Sequence, residues 1–121
     1  MGINKPVRRS PERTWQTVQV DVGHHIQIDL PLELVNQSCA PTCGTRANSF
    51  GAYDLVALRG IAAGEEITFD YCMTERLLVG FDPCRCGSDR CRGSIRGAKF
   101  LPPETLQEYR GYTAPYLRDL L

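Results

Sequence analysis

Three cysteines crowd into eight residues, Cys84-Arg-Cys86-Gly87-Ser-Asp-Arg-Cys91, and this C-x-C-x4-C segment constrains the chain more than any other feature. Gly87 permits the tight turn that lets three thiolates converge on one point. A tetrahedral zinc ion takes four ligands, with sulfur at about 2.3 Å, so a structural site needs one more donor from elsewhere. Cys39, Cys43, Cys72, His24 and His25 are the candidates. The competing reading is a set of free or disulfide-bonded thiols. Against it, Met1 to Ser10 lacks the apolar core of an export signal, and no apolar run approaches the roughly 18 residues of a spanning helix. The chain therefore reads as intracellular, in the cytoplasm and off the membrane, where thiols stay reduced. Zinc is the better account of the cysteines.

A chain of 121 residues suits one compact domain. Fourteen basic residues balance fourteen acidic ones, so nothing in the overall charge draws the chain to nucleic acid or an acidic surface. Residues 1–14 are polar and basic and read as a loose arm. From Trp15 to Leu30, Val18, Val20 and Val22 alternate with polar residues, as do Ile26, Ile28 and Leu30, with Gly23, His24 and His25 between the two sets. That pattern predicts a β-hairpin with the histidines exposed at its turn. A second pair of strands is expected at Tyr53–Leu58 and Ile67–Tyr71, joined through Ala63-Gly64-Glu65. After Pro83 come the cysteine segment, then Pro102-Pro103 and a short helix with Leu106 and Tyr109 on one face. The fold class is mostly β with little helix. The expected organisation is an arm at 1–14, a main domain at 15–80, a zinc segment at 81–100 and a helical tail at 101–121.

Three segments, in one order, resemble the SET-domain family of lysine methyltransferases with its post-SET zinc tail. Asn36-Gln-Ser-Cys39-Ala-Pro41-Thr42-Cys43 is similar to the family's N-H-S-C-x-P-N. Leu58-Arg-Gly-Ile61-Ala-Ala-Gly64-Glu65-Glu66-Ile67-Thr-Phe69-Asp70-Tyr71 is similar to its GEE-to-DY segment. Cys84-Arg-Cys86-Gly87 to Cys91-Arg-Gly93 is similar to the post-SET tail. The likeness runs over residues 15–100. Gln37 stands where the family has histidine, Thr42 where it has asparagine, and Glu33 where an arginine is common. Only 35 residues precede Asn36, and they contain no G-x-G, so the expectation is a partial SET-like β-fold without the family's N-terminal part.

The resemblance implies transfer of a methyl group from S-adenosylmethionine to a lysine or another amine. It implies that Tyr71 is the catalytic tyrosine, with Phe69 beside the reacting amine. It also implies that Asn36, Gln37 and Ile95 line the cofactor, and that Cys39 joins Cys84, Cys86 and Cys91 on a structural zinc. Cys43 and Cys72 are then packed thiols. Taken alone, Tyr71 reads as a core tyrosine at a strand end. Glu65-Glu66 reads as part of a structural turn, because neighbours on a strand face opposite sides. Arg85, Arg90, Arg92, Arg96 and Lys99 form a basic surround that reads as a solvated face. A SET-derived zinc protein with altered or lost chemistry is the alternative, and a zinc module for nucleic acid is the weakest reading. A sheet edge left open by the missing strands predicts a homodimer.

Overall fold

The computed structural model describes residues 9–10, 17–22, 24–27, 35–78 and 83–119. Trp15, Gly23, Ile28, Leu30 and Glu33, all used in the sequence reading, lie outside the described residues. Strands β1 (Arg9–Ser10), β2 (Thr17–Asp21) and β3 (His24–Gln27) form an antiparallel sheet in the order β1-β3-β2. The expected hairpin is therefore present, with Val18 opposite Ile26 and both buried. Two details differ from the sequence reading. Arg9–Ser10, within the stretch read as a loose arm, takes the outer edge of β3. His24 and His25 belong to β3 rather than to the turn, and His25 is half-buried opposite Gln19 and Ser10.

Gln19 shows why strict alternation misleads here. It is buried, its N–H donates to Glu75 Oε2 at 2.9 Å, and its Oε1 accepts from the Arg76 N–H. Its carbonyl accepts from the Tyr53 hydroxyl at 2.7 Å. Burying an amide without partners costs about 1–3 kcal/mol, and three bonds at one residue offset that. Gln19 thereby ties the first sheet to the rest of the molecule.

The second strand pair was expected between residues 53–58 and 67–71, and the structure corrects this. Strand β6 (Tyr53–Ala57) pairs antiparallel with β5 (Cys43–Ala47). Strand β7 (Thr68–Phe69) pairs in parallel with β4 (Asn36–Gln37). The Cys43-Gly-Thr-Arg-Ala47 sequence lacks an apolar alternation, so it gave no strand signal. The tie comes from its turn, where Asn48 Oδ1 accepts from the Phe50 and Ala52 N–H groups. Gly44 is required on β5 because a Cβ there would come within 2.6 Å of the Tyr112 ring. The segment between β6 and β7 turns as expected at Ala63-Gly64, braced by an Arg59–Glu65 ion pair and by Glu65 Oε1 accepting from the Ala62 N–H.

Thr42 stitches the β4 and β7 segments together. Its N–H donates to Thr68 Oγ1, and the Thr68 N–H donates back to Thr42 Oγ1 at 2.9 Å. After β7 the chain makes a 3-10 turn at Tyr71–Met73, capped by the Asp70 side chain. The tail then returns along it: the Ala98 N–H donates to Glu75 O, and the Leu78 N–H to Arg96 O. Gly97 is obligatory there, since its φ is 111° and a Cβ would collide with the Arg76 carbonyl. Helix α1 (Pro103–Glu108) follows, with proline at its first position, where the lost N–H has no intrahelical partner to miss. Tyr109, just past it, is buried and Leu106 packs against the core, as expected. Met73, Ala98, Ala114 and Leu117 are wholly buried at the centre.

Candidate functional site

Cys39 follows β4 at a bend held by Ser38, whose Oγ accepts from the Ala40 N–H. The other three sulfurs come from one loop in which the Cys91 N–H donates to Ser88 O and Gly87 has a φ of 72°. The Sγ atoms of Cys39, Cys84, Cys86 and Cys91 all lie within 4.8 Å of one another. Cys39 and Cys84 sulfurs are 3.9 Å apart. Tetrahedral zinc thiolate, with bonds of about 2.3 Å, places its sulfurs about 3.8 Å apart, so the four residues fit such an ion. All six cysteines are free, and Cys43 and Cys72 are buried outside the cluster. Burial pushes Cys39 up, and burial likewise takes Cys84 up to about 12. For Cys86 burial works in the same direction, but hydrogen bonds from the Cys39 and Ser88 backbone and from Cys91 and Cys84 outweigh it and bring it down to about 6. A cluster with one thiolate already favoured suits a cation.

The basic surround is divided rather than continuous. Arg90 pairs with Glu108 at 2.7 Å, and Arg92 turns inward to Asp70 at 2.7 Å. Arg96 lies over the Phe100 ring at 4.1 Å.

Tyr71 stands at the start of the 3-10 turn, half-buried, with its hydroxyl donating to Val35 O at 2.7 Å. Burial raises its pKa, so the phenol stays protonated near neutral pH. The Phe69 and Tyr71 ring centroids are 5.0 Å apart. The β4–β7 register sets Asn36 opposite Thr68 and Gln37 opposite Phe69. The expected site residues Asn36, Gln37, Phe69 and Tyr71 therefore meet on two adjacent strand ends. Asn36 is exposed, and its Nδ2 donates to Glu66 Oε2 at 2.7 Å. Gln37 is buried and bonds through both ends of its amide: Oε1 accepts from the Tyr71 N–H at 2.6 Å, and Nε2 donates to Asp70 Oδ1 at 3.3 Å. Ile95 is only 2 % exposed and belongs to the core.

Two residues of the site escaped the sequence reading. Asp70 is wholly buried, and its Oδ2 accepts from the Tyr109 hydroxyl at 2.7 Å while pairing with Arg92. Arg92 was read as part of a solvated face. The signal was present in the sequence, because both adjoin motif residues, Tyr71 and Cys91, but nothing local told which charges would meet.

The family model for the SET domain matches residues 7–72. Methyltransferase flvH of Aspergillus flavus is 31% identical over 112 residues, covering 93% of this chain and 61% of that protein. Histone-lysine N-methyltransferase ash1 of Drosophila melanogaster is 39% identical over 66 residues, 52% of this chain and 3% of that protein. Histone-lysine N-methyltransferase 2B of Homo sapiens is 41% identical over 61 residues, 48% of this chain and 2% of that protein. The chain thus spans about three-fifths of the first of these relatives and a small part of the other two. No solved structure matches the chain.

Proposed function

The chain belongs to the SET-domain family, and from that premise we propose that it transfers a methyl group from S-adenosylmethionine to the amine of a lysine or another amine, with zinc on Cys39, Cys84, Cys86 and Cys91. The observation that carries this reading is the sulfur cluster itself, which joins the Asn36–Cys39 segment to the tail, whose Arg92 reaches Asp70. Both protein lysine and a small amine remain within the reading. The relatives named for histone lysine align with about half of the chain, whereas the one aligned with nearly all of it is named only as a methyltransferase.

S-adenosylmethionine supplies a methyl carbon on a sulfonium, open to in-line displacement by a neutral amine. The chain's own part is alignment and exclusion of water. Asn36 and Gln37 would border the cofactor at the end of β4, with Ile95 packing behind. Tyr71, held protonated and oriented through Val35 O, keeps oxygen lone pairs able to accept a hydrogen bond from the amine. Phe69 contributes an apolar ring face suited to a methylated ammonium.

An intracellular, reducing setting would keep the thiolates available to the metal. No helix among the described residues is long and apolar enough to cross a membrane. A homodimer remains part of the reading on the exposure of Phe50 and Leu77, since β1 already takes the outer edge of β3. The alternative of altered or lost chemistry draws on one contact, the Asn36 amide being engaged by Glu66.

Calorimetry of the zinc-loaded chain with S-adenosylmethionine decides between the two. The expected result is saturable binding of one equivalent, and its absence overturns the methyltransferase reading. With an amine substrate, Tyr71→Phe is expected to lower turnover about tenfold, the worth of one well-placed hydrogen bond, while the protein stays folded.

A further inference from the structure

Asp70 is a fully buried carboxylate reached by four donors from four separate segments. Its Oδ1 accepts from Gln37 Nε2 and from the Cys72 N–H, at 3.3 and 3.0 Å. Its Oδ2 accepts from the Tyr109 hydroxyl and from Arg92 Nη2, both at 2.7 Å. A buried carboxylate stripped of its cation would be left as an uncompensated charge, so Arg92 is held where Asp70 needs it. Arg92 itself directly follows Cys91, and its backbone N–H lies 3.4 Å from Cys39 Sγ. Its guanidinium also approaches Cys72 Sγ at 3.6 Å. Its seat is therefore fixed by the folded sulfur cluster on one side and by Asp70 on the other.

Gln37 continues the connection. The same amide that donates to Asp70 accepts the Tyr71 N–H at 2.6 Å, so Asp70 sets the amide and the amide sets the backbone of Tyr71. We propose that Arg92, Asp70 and Gln37 are positioning residues that make the setting of Tyr71 depend on the seating of the cysteine loop. The dependence runs from Cys39 Sγ through the Arg92 backbone and guanidinium to Asp70, then through the Gln37 amide to Tyr71. Glutamine suits this role because it offers a donor and an acceptor on one planar group. The consequence for turnover rests on the methyltransferase reading, whereas the relay itself does not.

The test uses the full zinc-loaded chain and reads amide hydrogen exchange at Tyr71 by nuclear magnetic resonance. Gln37→Met keeps length and removes both bonds, and Arg92→Met removes the cation without touching Tyr71. Each is expected to speed exchange of the Tyr71 amide about tenfold, the equivalent of one lost hydrogen bond. Because both act along one path, the double variant should exchange little faster than Gln37→Met alone. In Arg92→Met, turnover should fall by a similar factor while the dissociation constant for S-adenosylmethionine stays within twofold. Should Arg92→Met fail to fold, Arg92→Lys keeps the buried charge, loses the forked geometry and carries the same comparison. Tyr71 exchange within twofold of the unmodified chain in either folded variant, or effects that multiply in the double variant, would overturn the relay. If the unmodified chain binds no S-adenosylmethionine, the methyltransferase reading fails, and the exchange measurement still decides the relay.

Discussion

Phe69 and Tyr71 sit two residues apart with ring centroids separated by 5.0 Å, and the difference between them is one hydroxyl. Phe69 is 8 % exposed, so what its ring borders is close to dry. A hydroxyl placed there could hold a water or bond the amine, taking space that further methyl groups need. An active enzyme is therefore expected to add two or three methyl groups, and Phe69→Tyr should shift the product toward one. Mass spectrometry of a reacted amine would show it, and exclusively monomethyl product from the unmodified chain would contradict it. At this scale the sequence was informative wherever chemistry is local: the cysteine spacing pointed to the sulfur cluster, and the motif placed Phe69 beside Tyr71. It was silent on Asp70 and Arg92, whose meaning lies in a contact between segments 22 residues apart. An arginine beside three cysteines looks like a solvated charge until the fold shows the carboxylate beneath it.

Strand pairing shows a different limit. The strand expected at Tyr53–Leu58 is present as Tyr53–Ala57, but a local strand signal carries no information on the partner. The partner, Cys43–Ala47, is polar enough to hide, because its inner side is closed by Gly44 under Tyr112 rather than by a row of aliphatic side chains. The cysteine loop makes the opposite case, since it has almost no regular structure and would take its form from a bound zinc ion. Structural zinc sites contribute binding energy directly to folding, on the order of 10 kcal/mol in small domains. That rivals the whole stability of a domain of this length, about 5–15 kcal/mol. Cys39→Ser is thus expected to abolish stoichiometric zinc and loosen the tail, whereas Cys43→Ala should keep one zinc per chain. Elemental analysis with thermal melts of the two variants provides the measurement. Full metal and an unchanged melt in Cys39→Ser would exclude Cys39 as a ligand.

Across the whole molecule, the polar ties between segments fall repeatedly on tyrosine hydroxyls. Tyr53 reaches Gln19 O of the first sheet, Tyr71 reaches Val35 O, Tyr109 reaches Asp70, and Tyr116 reaches Thr74 O. Burial raises the pKa of Tyr53, Tyr71 and Tyr109 above the ordinary phenol value of 10.0, with the Asp70 charge adding to the effect at Tyr109. A phenol raised in this way holds its proton more tightly in the folded chain than in the unfolded one. Its contribution is complete below pH 10 and is lost as pH climbs above that value toward the folded pKa. Each such group steepens the loss by about 1.4 kcal/mol per pH unit. Urea midpoints should therefore fall steeply between pH 9.5 and pH 11. Tyr53→Phe separates this effect from general alkaline damage. It should lower stability at pH 8 by about 1 kcal/mol, for the lost bond to Gln19, and make the alkaline fall shallower. A midpoint that stays level through pH 11, or a Tyr53→Phe variant with an equally steep fall, would show that the buried hydroxyls do not set the alkaline limit of this fold.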